Sequence, residues 1–132
     1  MSPYLLALPP QVILKRDKEP IRYNSKYDAT RKRQYTWFFA TVGEHPVSAP
    51  PALHPSCGLQ RGDLFYHKHA HGHQLWLRQE DEATDEDHWT TVDIGYERNE
   101  DGRVLSITQK LQRPSWVGGD WAIKRVAAIE RS

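Results

Sequence analysis

Residues 61–79 read Arg61-Gly62-Asp63-Leu64-Phe65-Tyr66-His67-Lys68-His69-Ala70-His71-Gly72-His73-Gln74-Leu75-Trp76-Leu77-Arg78-Gln79. Side chains two apart on a strand share a face. Leu64 and Tyr66 on the outward run, and Leu75 and Leu77 on the return, then make one apolar face. His71-Gly72 between them is a two-residue turn, because histidine tolerates positive φ better than most residues and glycine better still. That register sets His69 opposite Gln74, His67 opposite Trp76 and Phe65 opposite Arg78. The segment reads as a β-hairpin with a core face and a half-aromatic, half-polar face carrying Phe65, His67, His69, Trp76 and Arg78.

Strand periodicity continues on both sides of this hairpin. Gln11 to Arg16, with Val12-Ile13-Leu14, reads as a first strand. Gln34 to Gly43 is apolar on both faces, with Tyr35, Trp37 and Phe39 on one and Phe38, Ala40 and Val42 on the other. Such a run suits a central strand. Downstream, His88 to Arg98 and Arg103 to Leu111 read as a second hairpin around Asn99-Glu100-Asp101-Gly102, with Val92, Ile94, Tyr96, Leu105, Ile107 and Leu111 inward.

The remaining segments are connections or an ambiguous end. Prolines 46, 50, 51 and 55 make residues 44–60 a long extended loop, which is neither helix nor central strand. Residues 80–87 are an acidic loop, six of its eight residues being Asp or Glu. After Gly118-Gly119, residues 120–130 fit either a closing strand or one short C-terminal helix capped by Asp120. These readings predict a mainly β fold: a single domain over 1–132, built as an antiparallel barrel or sandwich of six to seven strands.

Composition bounds the function. A chain of 132 residues can bury roughly two-thirds of its unfolded surface and needs no metal or disulfide merely to fold. One cysteine, Cys57, fits a reducing compartment. No run approaches the ~20 apolar residues of a membrane helix. The apolar start, Met1 to Leu8, lacks a basic flank and stops at Pro9-Pro10, so it does not read as a signal peptide. An intracellular, cytoplasmic protein without membrane association is therefore expected. The net charge of +1 excludes a general polyelectrolyte binder, but Lys15 to Arg33 holds eight basic residues interleaved with Tyr23 and Tyr27. Basic residues with aromatics suit single-stranded nucleic acid, although a solvated charged loop accounts for them better.

Four of the seven histidines alternate through His67, His69, His71 and His73. Imidazole titrates near neutral pH, so His67 and His69 are the candidate catalytic acid–base pair. His54 and Cys57 are spaced as in zinc sites, and with His67 and His69 they give a candidate ligand set for Zn²⁺. Phe65, Trp76 and Arg78 are candidate ligand-binding residues. Trp116 and Trp121, which bracket a glycine-rich element, are candidate lid residues, while core packing should claim at least three of the five tryptophans. Arg61-Gly62-Asp63 matches an adhesion tripeptide, but at the opening of a strand it reads as coincidence. The expected role is binding of a small molecule or protein partner on the aromatic/histidine face. The alternative is a small acid–base enzyme (isomerase, cyclase, lyase or nuclease-like), with or without zinc, on that same face.

Overall fold

The structure, a computed structural model, describes residues 11–21, 34–81, 83 and 86–118. It is mainly β. In chain order the elements are β1 (Asp17–Pro20), β2 (Tyr35–Val42), a single 3-10 turn (Pro55–Cys57), β3 (Leu64–His69), β4 (Gly72–Asp81), β5 (Glu86–Val92), β6 (Val104–Ile107) and β7 (Pro114–Val117). Strands β1 to β5 form one sheet in sequence order, and β6 and β7 form a second, two-stranded sheet. Among the described strands no pairing closes these into a barrel. No helix among the described residues is long and apolar enough to cross a membrane.

The fold is not purely antiparallel, because β2 and β3 are parallel neighbours, with Phe38 opposite Leu64 and Thr41 opposite His67. A parallel pair needs a long connection that carries the chain back to the starting end. The proline-rich segment is that connection, which accounts for its length. It crosses one face of the five-stranded sheet, where Leu53, Cys57 and Leu59 pack with Leu14 over Phe39, Phe65 and Trp76. The other face carries Phe38, Leu64, Tyr66, Leu75, Leu77 and Val92, and β6 and β7 cover it with Leu105, Ile107 and Trp116. The Trp116 N–H donates to Thr36 Oγ1 at 3.0 Å, fixing β7 against β2.

The hairpin keeps its expected faces but not its register. His69 lies opposite Gly72, His67 opposite Gln74 and Phe65 opposite Trp76, so Ala70-His71 is the turn and Gly72 begins β4. The displacement moves each pairing by two residues. An even shift leaves every side chain on its face, whereas an odd one would invert them.

Four other expectations need correction. Val12-Ile13-Leu14 is not a sheet strand. Val12 forms an isolated parallel bridge with Leu53, Ile13 is exposed, and the first strand begins at Asp17. The acidic stretch is not all loop, because Glu80 pairs with Asp87 and Asp81 with Glu86 in the β4–β5 ladder. The strand expected over 88–98 stops at Val92. Asp93 to Tyr96 forms a turn with Gly95 at φ 97°, a left-handed conformation that favours glycine. β6 therefore pairs with β7, and only the Glu97–Val104 bridge and a few backbone bonds remain of the second hairpin. Leu111 is 64 % exposed instead of inward-facing. Residues 120–130, including Trp121, lie outside the described residues.

Candidate functional site

The face carrying Phe65, His67, His69 and Trp76 is covered by the crossover, where an open binding surface was expected. Phe65 and Trp76 are buried, and Phe65 meets Trp76 and Trp89 edge-on with ring centroids 6.1 and 5.7 Å apart. Arg78 shares this face, its guanidinium 5.3 Å from the Trp89 ring centroid.

His67 is buried on a strand flanked on both sides, and both ring nitrogens are engaged. Its Nε2 lies 2.8 Å from the His45 carbonyl and its Nδ1 2.8 Å from Thr41 Oγ1. A carbonyl only accepts, so Nε2 carries the proton, and in the neutral ring Nδ1 accepts from the threonine hydroxyl. This imidazole fastens the Gly43–Val47 backbone to the sheet. Gly43 itself passes so close that a Cβ there would lie 3.3 Å from His67 Cε1. His69 is half-buried at the hairpin tip, its Nδ1 accepting from the His71 N–H at 3.2 Å. Desolvation, then the His67, His71 and His73 imidazoles, hold its pKa below the ordinary 6.5.

The expected zinc ligands do not converge. The Cys57 thiol is buried, accepting from the Leu14 N–H at 3.2 Å and facing the Val12 carbonyl. His54 turns its Nδ1 to the Ser56 backbone and hydroxyl. Among the described residues no three His, Cys, Asp or Glu side chains are grouped so as to hold a metal ion.

A different arrangement occupies the opposite end of β3. The Gln60–Asp63 turn, with Gly62 at φ 94° in the second central position, is a type II turn that delivers Asp63 to the start of the strand. Asp63 is 2 % exposed and accepts from Arg16 Nε and Nη2, both at 2.8 Å, and from the Gln60 N–H at 2.9 Å. So held, the Arg16 guanidinium carbon lies over the Trp37 ring, 4.1 Å from its centroid. A second unit repeats the first. Arg98 Nε and Nη2 donate to the two oxygens of Asp101 at 2.8 and 2.7 Å, and the Arg98 guanidinium sits 4.7 Å from the Trp116 centroid. Hydrogen bonding from Arg98 is the main reason the Asp101 carboxyl lies below its ordinary pKa, with burial opposing it and the Arg103 N–H assisting.

The two Trp–Arg–Asp units face one cleft. It comprises two hollows of about 440 and 470 Å³ that share Arg61, Gly62, Arg98, Glu100 and Trp116. Arg16 and Trp37 line the first, and Tyr96 and Gln79 line the second. A guanidinium has five N–H donors. Each clamped arginine uses two on its aspartate, and among the described residues neither Arg16 nor Arg98 has an acceptor for its Nη1 end. Arg61 lines both hollows with its side chain 57 % exposed, its Nε and Nη2 3.1 and 3.0 Å from Asp87 Oδ1 and its Nη1 3.4 Å from Glu80. Of the ligand residues expected from sequence, Trp116 and Arg78 border this cleft, and Phe65 and Trp76 do not.

No protein-family model matches the chain, and neither a search of curated proteins nor one of solved structures finds a match.

Proposed function

We propose that the chain is a binding domain for a small anionic ligand, held in the cleft around Gly62. The carrying observation is the pair of aspartate-clamped guanidiniums set over tryptophan rings, both lining one cleft and neither with an acceptor for its Nη1 end among the described residues. Carboxylates and phosphates accept bidentate bonds from this planar fork, and a fork fixed before binding loses little entropy on binding. Each hollow lies within the range of small-ligand pockets. Arg61, exposed on the rim, exchanges Glu80 and Asp87 for the ligand. In this reading the two sheets work as a small β-sandwich with the site at its open end.

The test is titration with acetate, citrate and inorganic phosphate at low ionic strength, followed by tryptophan fluorescence and by Tm. Saturable binding that raises Tm and weakens as salt is added is expected. Arg61→Gln should weaken it about tenfold while barely moving Tm, since exposed ion pairs contribute roughly 0–1 kcal/mol. Flat titrations with all three anions, or unchanged affinity in Arg61→Gln, would refute the reading.

A further inference from the structure

The β6–β7 sheet has a second face that the core does not use. Leu105, Ile107 and Trp116 pack into the cluster between the two sheets. Strand alternation then places Ser106 on the opposite side of β6, and Ser115 and Val117 on the opposite side of β7. Ser106 and Ser115 are cross-strand partners, so their side chains are neighbours on that face. Both residues are nearly inaccessible, at 1 % and 5 %. Ser106 Oγ has no hydrogen-bond partner, and among the described residues it is the one buried side-chain nitrogen or oxygen of which this is true. A buried hydroxyl without a partner forfeits its hydration uncompensated, and such groups are rare in folded chains.

Ser106, Ser115 and Val117 border a cavity of about 450 Å³, a size that holds a small ligand. The rest of its wall comes from the end of β1 and from the turn between β6 and β7. Pro20, Ile107 and Leu111 add apolar surface, and Leu111 is 64 % exposed. The turn is well fixed. The Thr108 N–H donates to the Arg113 carbonyl at 2.7 Å, the Gln112 N–H to the Thr108 carbonyl at 3.1 Å, and the Arg113 N–H to Thr108 Oγ1 at 3.0 Å. This side of the cavity is therefore in place before any ligand arrives. Two charged residues line it, one of each sign: Glu19, whose Oε2 lies 3.5 Å from Arg113 Nη1, and the exposed Lys110. The cavity is distinct from the anion cleft. Trp116 lines the cleft, its neighbours Ser115 and Val117 line the cavity, and the two share no lining residue among those described.

We propose that this cavity is a second binding site, for a small uncharged molecule with an apolar body and one hydroxyl, carbonyl or amide group that pairs with Ser106. The unmatched hydroxyl gives the site its polar direction, since it donates to a carbonyl or accepts from a hydroxyl or amide. The aliphatic side chains take the body. One acid and one base favour neither sign of charge, and a charged head would lose its hydration beside the serine pair for a single neutral hydrogen bond. In the free protein the same hydroxyl works against stability, because folding buries it without a partner. A purely structural serine would not be left in that condition. The site does not depend on the anion-binding reading of the cleft.

Backbone NMR titration of the full chain with four probes sharing one ring tests this: benzyl alcohol, benzamide, toluene and benzoate. Benzyl alcohol and benzamide should shift the Ser106, Ser115 and Val117 amides saturably. They should bind about tenfold more tightly than toluene, the worth of one buried hydrogen bond. Benzoate should bind there more weakly than either. Ser106→Ala should erase the preference, so that the three neutral probes bind alike, and its Tm without probe should equal or exceed that of wild type. Leu111→Ala, a change at an exposed position, should weaken all three neutral probes and keep their order. Absence of saturable shifts at these amides with every neutral probe, which would leave the cavity to water only, overturns the proposal. So do equal affinities for benzyl alcohol and toluene, or benzoate as the tightest of the four at these amides. A preference that survives Ser106→Ala overturns it as well, as does a Ser106→Ala protein that melts several degrees lower, which would show the hydroxyl to be paired in the fold.

Discussion

The Arg16–Asp63 pair offers a quantitative test of the cleft's framework. Asp63→Asn preserves shape but removes the charge and one acceptor. The carboxylate takes three donors, Arg16 Nε, Arg16 Nη2 and the Gln60 N–H, so an amide NH₂ in either orientation faces at least one donor. Breaking a buried pair costs roughly 3–5 kcal/mol when the surviving charge is trapped. Here the survivor is not fully trapped. Arg16 retains 18 % side-chain exposure and keeps its place over Trp37, a contact of about 1–2 kcal/mol at this depth. The expected cost of Asp63→Asn is therefore about 2–3 kcal/mol, or roughly 8–12 °C in Tm for a domain of this size. Arg16→Met leaves a carboxylate that is 3 % exposed without its cation, and should cost at least as much. The double variant should cost little more than either single one, giving a coupling energy of about 2 kcal/mol. Urea unfolding at pH 7, with m constant across the four proteins, supplies the numbers. Additivity within about 0.5 kcal/mol would show that the ion pair does not organise this end of the sheet, and the preorganised guanidinium would lose its basis.

Other substitutions separate core from surface. His67→Gln should destabilise by about 1–3 kcal/mol, because glutamine cannot serve Thr41 Oγ1 and the His45 carbonyl with the same geometry; His69→Gln should leave thermal stability at pH 7 nearly unchanged. Equal melting temperatures for the two would refute the buried placement of His67. The Cys57 thiol, buried between Val12 and Leu14, should react with a thiol reagent only at the rate of unfolding, and rapid stoichiometric labelling of native protein would contradict the cover. The Asp101 carboxyl has a depressed folded pKa, so the stability it contributes is present above the ordinary value of 3.8 and is lost as pH falls through the folded value. Asp101→Asn should accordingly flatten the stability profile below about pH 4 in urea melts taken across that range.

How much of the fold was legible follows from which forces are local. The faces of the β3–β4 hairpin could be read because alternation is a local pattern, and Leu64, Tyr66, Leu75 and Leu77 do share one core. The register could not be read, because His71-Gly72 and Ala70-His71 both give tight turns and an even shift leaves the same side chains buried. The parallel β2–β3 pairing has no local signature at all. What sequence displays is its consequence, a proline-rich connection long enough to return the chain. The second hairpin was overextended because Val92, Ile94 and Tyr96 keep strand alternation through a turn, and all three still reach the core cluster.

The candidate site was less legible, for a related reason. Histidines attract attention by their chemistry, but His67 sits on a strand with neighbours on both sides, and covering that strand makes its imidazole a fastening for the crossover. Conversely, Asp63 stands immediately before the buried run Leu64-Phe65-Tyr66, where a carboxylate must find a cation or disrupt the strand's start. That requirement can be seen in the sequence. Its answer, Arg16, is 47 residues away and arrives only because the segment before β1 passes beside the Gln60–Asp63 turn. The Arg98–Asp101 pair is local, three residues apart in a turn, yet its tryptophan comes from β7. Each unit therefore combines a polar residue whose need is written locally with an aromatic face supplied by topology. A cleft built from two such units forms only when both sheets are in place, so changes that disturb the packing of β7 on β2 should disorder the site before they unfold the five-stranded sheet.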